Sequence, residues 1–238
     1  MAQSIEFIKD RATKTISAAK QLTTKWTWEE QTPDQMQALL TAIVGNASTT
    51  PPVVGQEEIT SHAEHTMLAA RGAWDSNLDT LHSLTVQGVS MAKNRNRNNA
   101  ANLAVLSGLS ARGTSRAETL TEALAWESAW AKVDPAWVPV TGNTLAIFKP
   151  LRKQCADDLQ EAYADAQANY RQQAEKLNDM AASLEQVSEA WYADATVVFA
   201  AGTAEGDMIR GTVPTTYSPP NHKTPPPAST ETDPNKKT

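Results

Sequence analysis

Apolar residues recur along the last third of the chain at a spacing that a long helix satisfies. Tyr163, Tyr170, Leu177, Leu184, Trp191 and Val198 follow one another at heptad intervals. Leu159, Ala166, Gln173, Met180, Val187 and Asp194 fall between them, so the steps alternate between four and three. That is the seam of a helix packed lengthwise on another helix, and it predicts a helix over residues 150–201. At 1.5 Å per residue such a helix is roughly 80 Å long, which requires partner helices along its length. Pro150 is expected in its first turn, where the missing amide hydrogen costs little. Gly202 is expected to end it in a left-handed cap.

The rest of the chain follows the same rule. Ile5, Ile8, Ala12, Ile16, Ala19 and Leu22 predict a first helix over residues 3–25. Thr32-Pro33 starts a second over 33–44, which stops at Gly45-Asn46. A loop with Pro51-Pro52 leads to a second long run that begins near Gln56. There Ala63, Met67, Ala70, Trp74, Leu81, Leu84, Gly88, Met91, Val105 and Leu109 keep the four-three spacing. Asn77, Arg95, Asn98 and Asn102 share that seam, so this run is weaker. The asparagine-rich residues 94–99 mark where it would break. Gly113-Thr114-Ser115 closes it, and a short helix with Leu120, Leu124, Trp126 and Trp130 follows over 116–132. The glycine-punctuated stretch 202–211 reads as a helix stop and a turn.

The expected fold is therefore all-α: an elongated bundle of four main helices, two of them long and coiled-coil-like. The two halves also look alike. Leu22, Trp28 and Pro33 are spaced as Leu124, Trp130 and Pro135 are, and Trp74 and Gly113 as Tyr163 and Gly202. The spacings imply an internal duplication, with extra residues in the first half around 47–55. The expected domains are 1–113 and 114–211, followed by a disordered tail over 212–238. More than half of the 13 prolines lie in that tail among Ser, Thr and Lys, a composition that buries too little apolar surface to order itself.

Charge adds a pairing rule. Residues 80–117 contain no Asp or Glu, while Lys93, Arg95, Arg97, Arg112 and Arg116 are cationic. Residues 157–194 are strongly acidic, with Arg171 and Lys176 as the only cations. Opposite charges beside a seam select partner and register, within one chain or between two. The net charge of −6 argues against general nucleic-acid binding. No run approaches the roughly 18 apolar residues of a membrane helix, and residues 1–14 carry no secretory pattern. A cytoplasmic setting is expected. The single cysteine, Cys155, excludes an intrachain disulfide and a cysteine zinc site.

Candidate chemistry is sparse. Glu58, His62 and His65 fall on one face of a helix, but no second Glu-x-x-His completes a dinuclear site, so solvated surface residues are the expected reading. Cys155 has no base or oxyanion motif beside it and reads as a buried thiol. The seven tryptophans are expected to cap helix ends, with indole NH groups bonded to loop carbonyls. The long-helix layout invites comparison with small secreted helical hairpins that carry a Trp-x-Gly turn. The chain has no Trp-x-Gly, and no family is assigned.

These features predict a non-enzymatic structural or interaction protein without cofactor or metal. Its partners would be proteins, including further copies of itself. The expected interaction residues are the seam anchors Tyr170, Leu177, Leu184 and Trp191 and the cations Lys93, Arg95 and Arg97. One alternative is a nucleic-acid-associated protein using the basic stretch 93–116. The other is a helical bundle that binds a ligand or metal.

Overall fold

The computed structural model describes residues 4–29 and 32–213. They are all-α, with eight helices and two isolated bridges but no strand among the described residues. In order these are α1 (Ile5–Leu22), α2 (Pro33–Val44), α3 (Gln56–Arg95), α4 (Ala100–Ser107), α5 (Arg116–Val133), α6 (Leu145–Ala156), α7 (Asp158–Val198) and α8 (Ala204–Arg210). The expected tail lies outside the described residues, apart from Thr212 and Val213 at its start. Thr212 is buried and belongs to the fold.

Hydroxyl and amide side chains start the helices by satisfying first-turn amides that have no helical partner. Ser4 accepts from the Phe7 amide at 3.3 Å. Thr32 and Gln35 bond each other's backbone reciprocally, as do Ser115 and Glu118. Thr203 accepts from the Gly206 amide at 3.0 Å, so the stretch 202–211 holds the helix α8 as well as a turn.

Each expected long helix breaks once. The first stops at Arg95. Asn96 turns its side-chain amide onto the Ala92 carbonyl at 3.0 Å, and Asn99 then caps α4 by accepting from Asn102 N. Asparagine here competes with the helix for its own backbone groups. The second divides into α6 and α7 at Asp157. Pro150 lies inside α6, because the helix starts earlier than proline suggested, after Thr144. Beside the break the indole NH of Trp74 donates to the Cys155 carbonyl at 2.9 Å. A side chain bonding into the helical ladder is a recognised cause of a kink. α7 ends at Val198, and Gly202 takes its left-handed φ of 82° beyond it, in the turn to α8.

The described residues gather into two compact units. One comprises those up to Gln37 and those from Leu184; the other is Ala38–Ser183. These bounds differ from the division at residue 113 that the repeat suggested.

In the larger unit α3, α5 and α6 enclose a core of Leu78, Leu81, Trp126, Trp130, Phe148 and Cys155, closed by Leu106 of α4. Trp126 and Trp130 stack at 5.3 Å, and Phe148 meets Trp130 edge-on at 5.9 Å. The Trp130 indole donates to the Trp137 carbonyl at 2.9 Å, the loop bond expected of a corner tryptophan.

In the smaller unit α1 buries Ile8, Ala12, Thr15, Ile16, Ala19 and Leu22. The end of α7 adds Leu184, Trp191 and Ala195, and α8 adds Ile209. Arg11, largely buried, donates to Glu189 at 2.8 Å.

The seam of α7 follows the expected row only in part. Leu159, Tyr163, Ala166, Tyr170, Gln173 and Leu177 are all buried or half-buried. Beyond Leu177 the buried positions are Ala181, Leu184, Ser188, Trp191 and Ala195, while Asp194 and Val198 are exposed. The second row has moved over by one residue, from Met180 and Val187 to Ala181 and Ser188. A helix of 3.6 residues per turn drifts about 20° per heptad against a strict seven-residue repeat, and the drift accumulates to such a step.

Helix lengths recur. α1 to α4 contain 18, 12, 40 and 8 residues, and α5 to α8 contain 18, 12, 41 and 7. The buried positions recur with them. Ile8, Ala12, Thr15, Ala18 and Ala19 of α1 correspond, at one constant shift in numbering, to Thr119, Ala123, Trp126, Ala129 and Trp130, all the buried residues of α5. The N-caps Ser4 and Ser115 keep that shift. Likewise Leu81, Thr85, Gly88 and Ala92 correspond to Leu184, Ser188, Trp191 and Ala195, and the C-caps Gly108 and Gly211 keep step. The extra residues of the first run fall at 45–55, where the second has Asp157 alone. The pairs read from the sequence are offset from this register. Pro33 begins α2, whereas Pro135 lies in the turn after α5.

A candidate interaction groove

The groove is built where α3 begins. Gly45 and Gly55 approach so closely that a β-carbon on either would collide with the backbone of the other. Asn46 and Val53 bridge the loop between them with N···O distances of 2.7 and 2.9 Å. This clamp delivers Val54 and the first turn of α3 to the side of α7. A ladder of polar groups fixes the contact. The buried Gln56 amide donates to the Gln173 side chain at 2.9 Å, and the Thr60 hydroxyl donates to the Gln173 carbonyl at 3.2 Å. Further along, Trp74 lies 5.7 Å from Tyr163. α3 and the first part of α7 therefore run antiparallel side by side, with Gln173 as the polar residue that sets their register.

Beside this ladder lies an open groove of about 520 Å³. Val54, Ile59, His62 and His65 line it from the α3 side, Asn169 and Gln173 from α7, and the buried Ala63 forms its floor. Val54 and Ile59 are 54% and 38% exposed, so apolar surface faces water here. Glu58 stands on the same wall. Glu58, His62 and His65 are thus brought together as their helical spacing implies. Among the described residues no group of three or more His, Cys, Asp or Glu is placed to hold a metal ion.

The other expected residues are distributed through the fold. Tyr170 is half-buried next to the groove lining, and Leu177 is buried in the seam. Leu184 and Trp191, at 0% and 1% exposure, are enclosed within the chain itself. Lys93 donates to the Leu109 carbonyl at 3.0 Å. Arg95 pairs with Asp134 at 3.1 Å and lies over the Trp137 ring at 4.8 Å. Arg97 is exposed. Arg116 makes a two-pronged pair with Asp75 and covers the Trp74 ring at 4.4 Å. The ion pairs of Arg95 and Arg116 thus go to Asp134 and Asp75 and not to the acidic stretch 157–194.

Several carboxylates are committed to structure. Amides and the hydroxyl of Ser115, with the Thr114 amide, hold Glu118 below the ordinary value of 4.5. Burial pushes Glu122 up, but the amides of Gly113 and Arg112 outweigh it and leave that group lowered as well. Lys25, by hydrogen bond and by charge, lowers Glu205. Burial raises the Cys155 thiol, which disfavours the nucleophilic thiolate.

Gln56 and Thr60 escaped the sequence reading because a buried polar ladder leaves no apolar periodicity. The Ser115-x-x-Glu118 capping box, a helix-start pattern present in the sequence, was not used in reading the start of α5. Comparison with known proteins finds no matching family, curated protein or solved structure.

Proposed function

We propose that the chain is a non-enzymatic interaction protein whose α3/α7 groove receives an amphipathic helix of a basic protein partner. The observation that carries this reading is exposed apolar surface set between two helices that are acidic over these stretches. From residue 56 to 79, Arg71 is the only Lys or Arg, against Glu57, Glu58, Glu64 and Asp79, with Asp75 already paired to Arg116. From 157 to 183 the cations Arg171 and Lys176 stand against Asp157, Asp158, Glu161, Asp165, Glu175 and Asp179. A trough between two helices accepts a third through its apolar anchors, and complementary charge selects the partner and speeds encounter. A second copy would bring the same acidic helices, so self-pairing through this groove is opposed by like charge. The cytoplasm is the setting this reading takes, and the recurring helix lengths support descent of the two runs from one duplicated four-helix unit.

Titration calorimetry on the full chain tests the proposal. The probes are a Leu/Lys peptide with helical apolar spacing and a scrambled peptide of the same composition. The ordered peptide is expected to bind at least about tenfold tighter, a difference of roughly 1.4 kcal/mol, with affinity falling as salt rises. Ile59→Asp should erase the difference. Equal binding of both peptides, or unchanged binding to the Ile59→Asp chain, would sink the reading.

A further inference from the structure

A second groove, of about 420 Å³, lies in the smaller unit and is lined by Trp26, Trp28, Glu29, Asp194, Val197 and Val198. Its aromatic wall is fixed in advance. Trp28 donates its indole NH to Asp194 at 2.7 Å. The Trp26 ring is held against Trp191 and Phe199, each at a centroid distance of 6.2 Å. The opposite rim is apolar and bare: Val197 is 85% exposed and Val198 50%. Glu29 and Asp194 make the groove acidic. Rigid aromatic walls, a shallow apolar rim and carboxylates together suit a polyproline segment with a cation. Such a segment has no internal hydrogen bonds to lose and little conformational entropy to surrender.

The chain itself contains that segment. α8 belongs to the same unit and is tied to the residue preceding Trp26 by the Lys25–Glu205 ion pair. The described residues end shortly after α8, at Val213. Beyond it, residues 219–227 read Pro-Pro-Asn-His-Lys-Thr-Pro-Pro-Pro, with Lys223 as the cation and no acid. At about 3.1 Å per residue the stretch between Val213 and Pro219 reaches roughly 20 Å, so the segment can return to the unit it departs from. We propose that residues 219–227 dock in the Trp26/Trp28 groove of their own chain, Lys223 facing Glu29 and Asp194, and so cover the bare valines.

The test uses full-length chains and a synthetic peptide, Ser218–Ser229. In one chain Pro219, Pro220, Pro225, Pro226 and Pro227 are all replaced by Ala, which leaves the groove intact. Peptide binding is followed through tryptophan fluorescence. The substituted chain is expected to bind the peptide at least about tenfold tighter than the wild type, whose groove is already filled at the high effective concentration of a tethered ligand. Adding Val197→Asp to the substituted chain should abolish binding; an unchanged melting temperature confirms that its fold is intact. Equal binding by wild type and substituted chain, no binding by either, or binding that survives Val197→Asp would each overturn the proposal. If the wild type is protected only at high protein concentration, the segment comes from a second copy, and docking within one chain is refuted.

Discussion

The indole of Trp126 lies against Gly88, so that a β-carbon at Gly88 would stand 2.7 Å from the ring. The equivalent positions in the other run are Thr15 and Trp191. The bulk has changed sides: where α5 carries a tryptophan α3 has a glycine, and where α7 carries a tryptophan α1 has a threonine.

Two glycines of α3 should accordingly respond with opposite sign. Gly72 has no neighbouring atom within 4 Å of an added β-carbon. Gly72→Ala should gain about 1 kcal/mol from helix propensity alone. Gly88→Ala gains the same propensity but drives a methyl into Trp126, and overpacking of that kind costs roughly 1–3 kcal/mol. Net destabilisation is expected at Gly88 and stabilisation at Gly72. Urea midpoints of the two variants check this, and a shift in the same direction for both would remove the account of Gly88.

The seam of α7 gives a second contrast. Leu184 is wholly buried, and Leu184→Ala should cost about 2–5 kcal/mol. Ala181, 3% exposed, has no room for growth, so Ala181→Leu should destabilise by roughly 1–3 kcal/mol. If the seam ran through Met180 instead, Ala181→Leu would be tolerated and Met180→Ala would be the costlier change. Thermal melts of the three variants distinguish the two rows.

That contrast also shows how far the fold could be read in advance. The starts of α2, α3 and α5 were legible because Thr32-Pro33, the loop ending at Gly55 and Gly113-Thr114-Ser115 carry local signals that tertiary packing did not override. The row Leu177, Leu184, Trp191 was legible because large apolar residues repeat there. Its companion row was not, since Ala181, Ser188 and Ala195 are small or polar and leave a weaker signal than Met180 and Val187. The break at Asp157 falls beside a bond from Trp74, remote in sequence, whose indole donates to the Cys155 carbonyl. The groove was half visible: Glu58, His62 and His65 share a face by spacing, but Asn169 and Gln173 join them only through folding.

Acid should act on the stretch between α4 and α5. Glu118 and Glu122 accept hydrogen bonds from the amides of Arg112, Gly113, Thr114 and Ser115, and both are held below 4.5. A carboxyl whose value is lower in the folded than in the unfolded chain stabilises fully above the unfolded value. That contribution is lost as pH falls through the folded one. The melting temperature of wild type should therefore exceed that of a Glu118→Gln/Glu122→Gln chain at pH 7, and the gap should close as pH drops below about 4.5. Melting curves from pH 7 to pH 3 provide the check; a gap that stays constant would mean the charges do not matter.

The crossed packing of the two runs leads to the last prediction. α1 lies against α8 and reaches α7 through Arg11–Glu189, while α5 lies against α3 and α4 as well as α6 of its own run. The first helix of each run thus buries much of its apolar face on the last two helices of the other. Separated at residue 113, each half would expose what its counterpart covers: Ile8, Ile16 and Leu22 on one side, and Trp126 and Trp130 on the other. Helices of 18 residues gain most of their stability from such faces and little from propensity. Residues 1–113 and 114–238, made separately, should show weak helicity and no cooperative melt, and mixing them should restore both. Restoration on mixing would be followed by circular dichroism at 222 nm. Should either half melt cooperatively alone, the apolar face of its first helix must be buried within that half, and the crossed arrangement would be refuted.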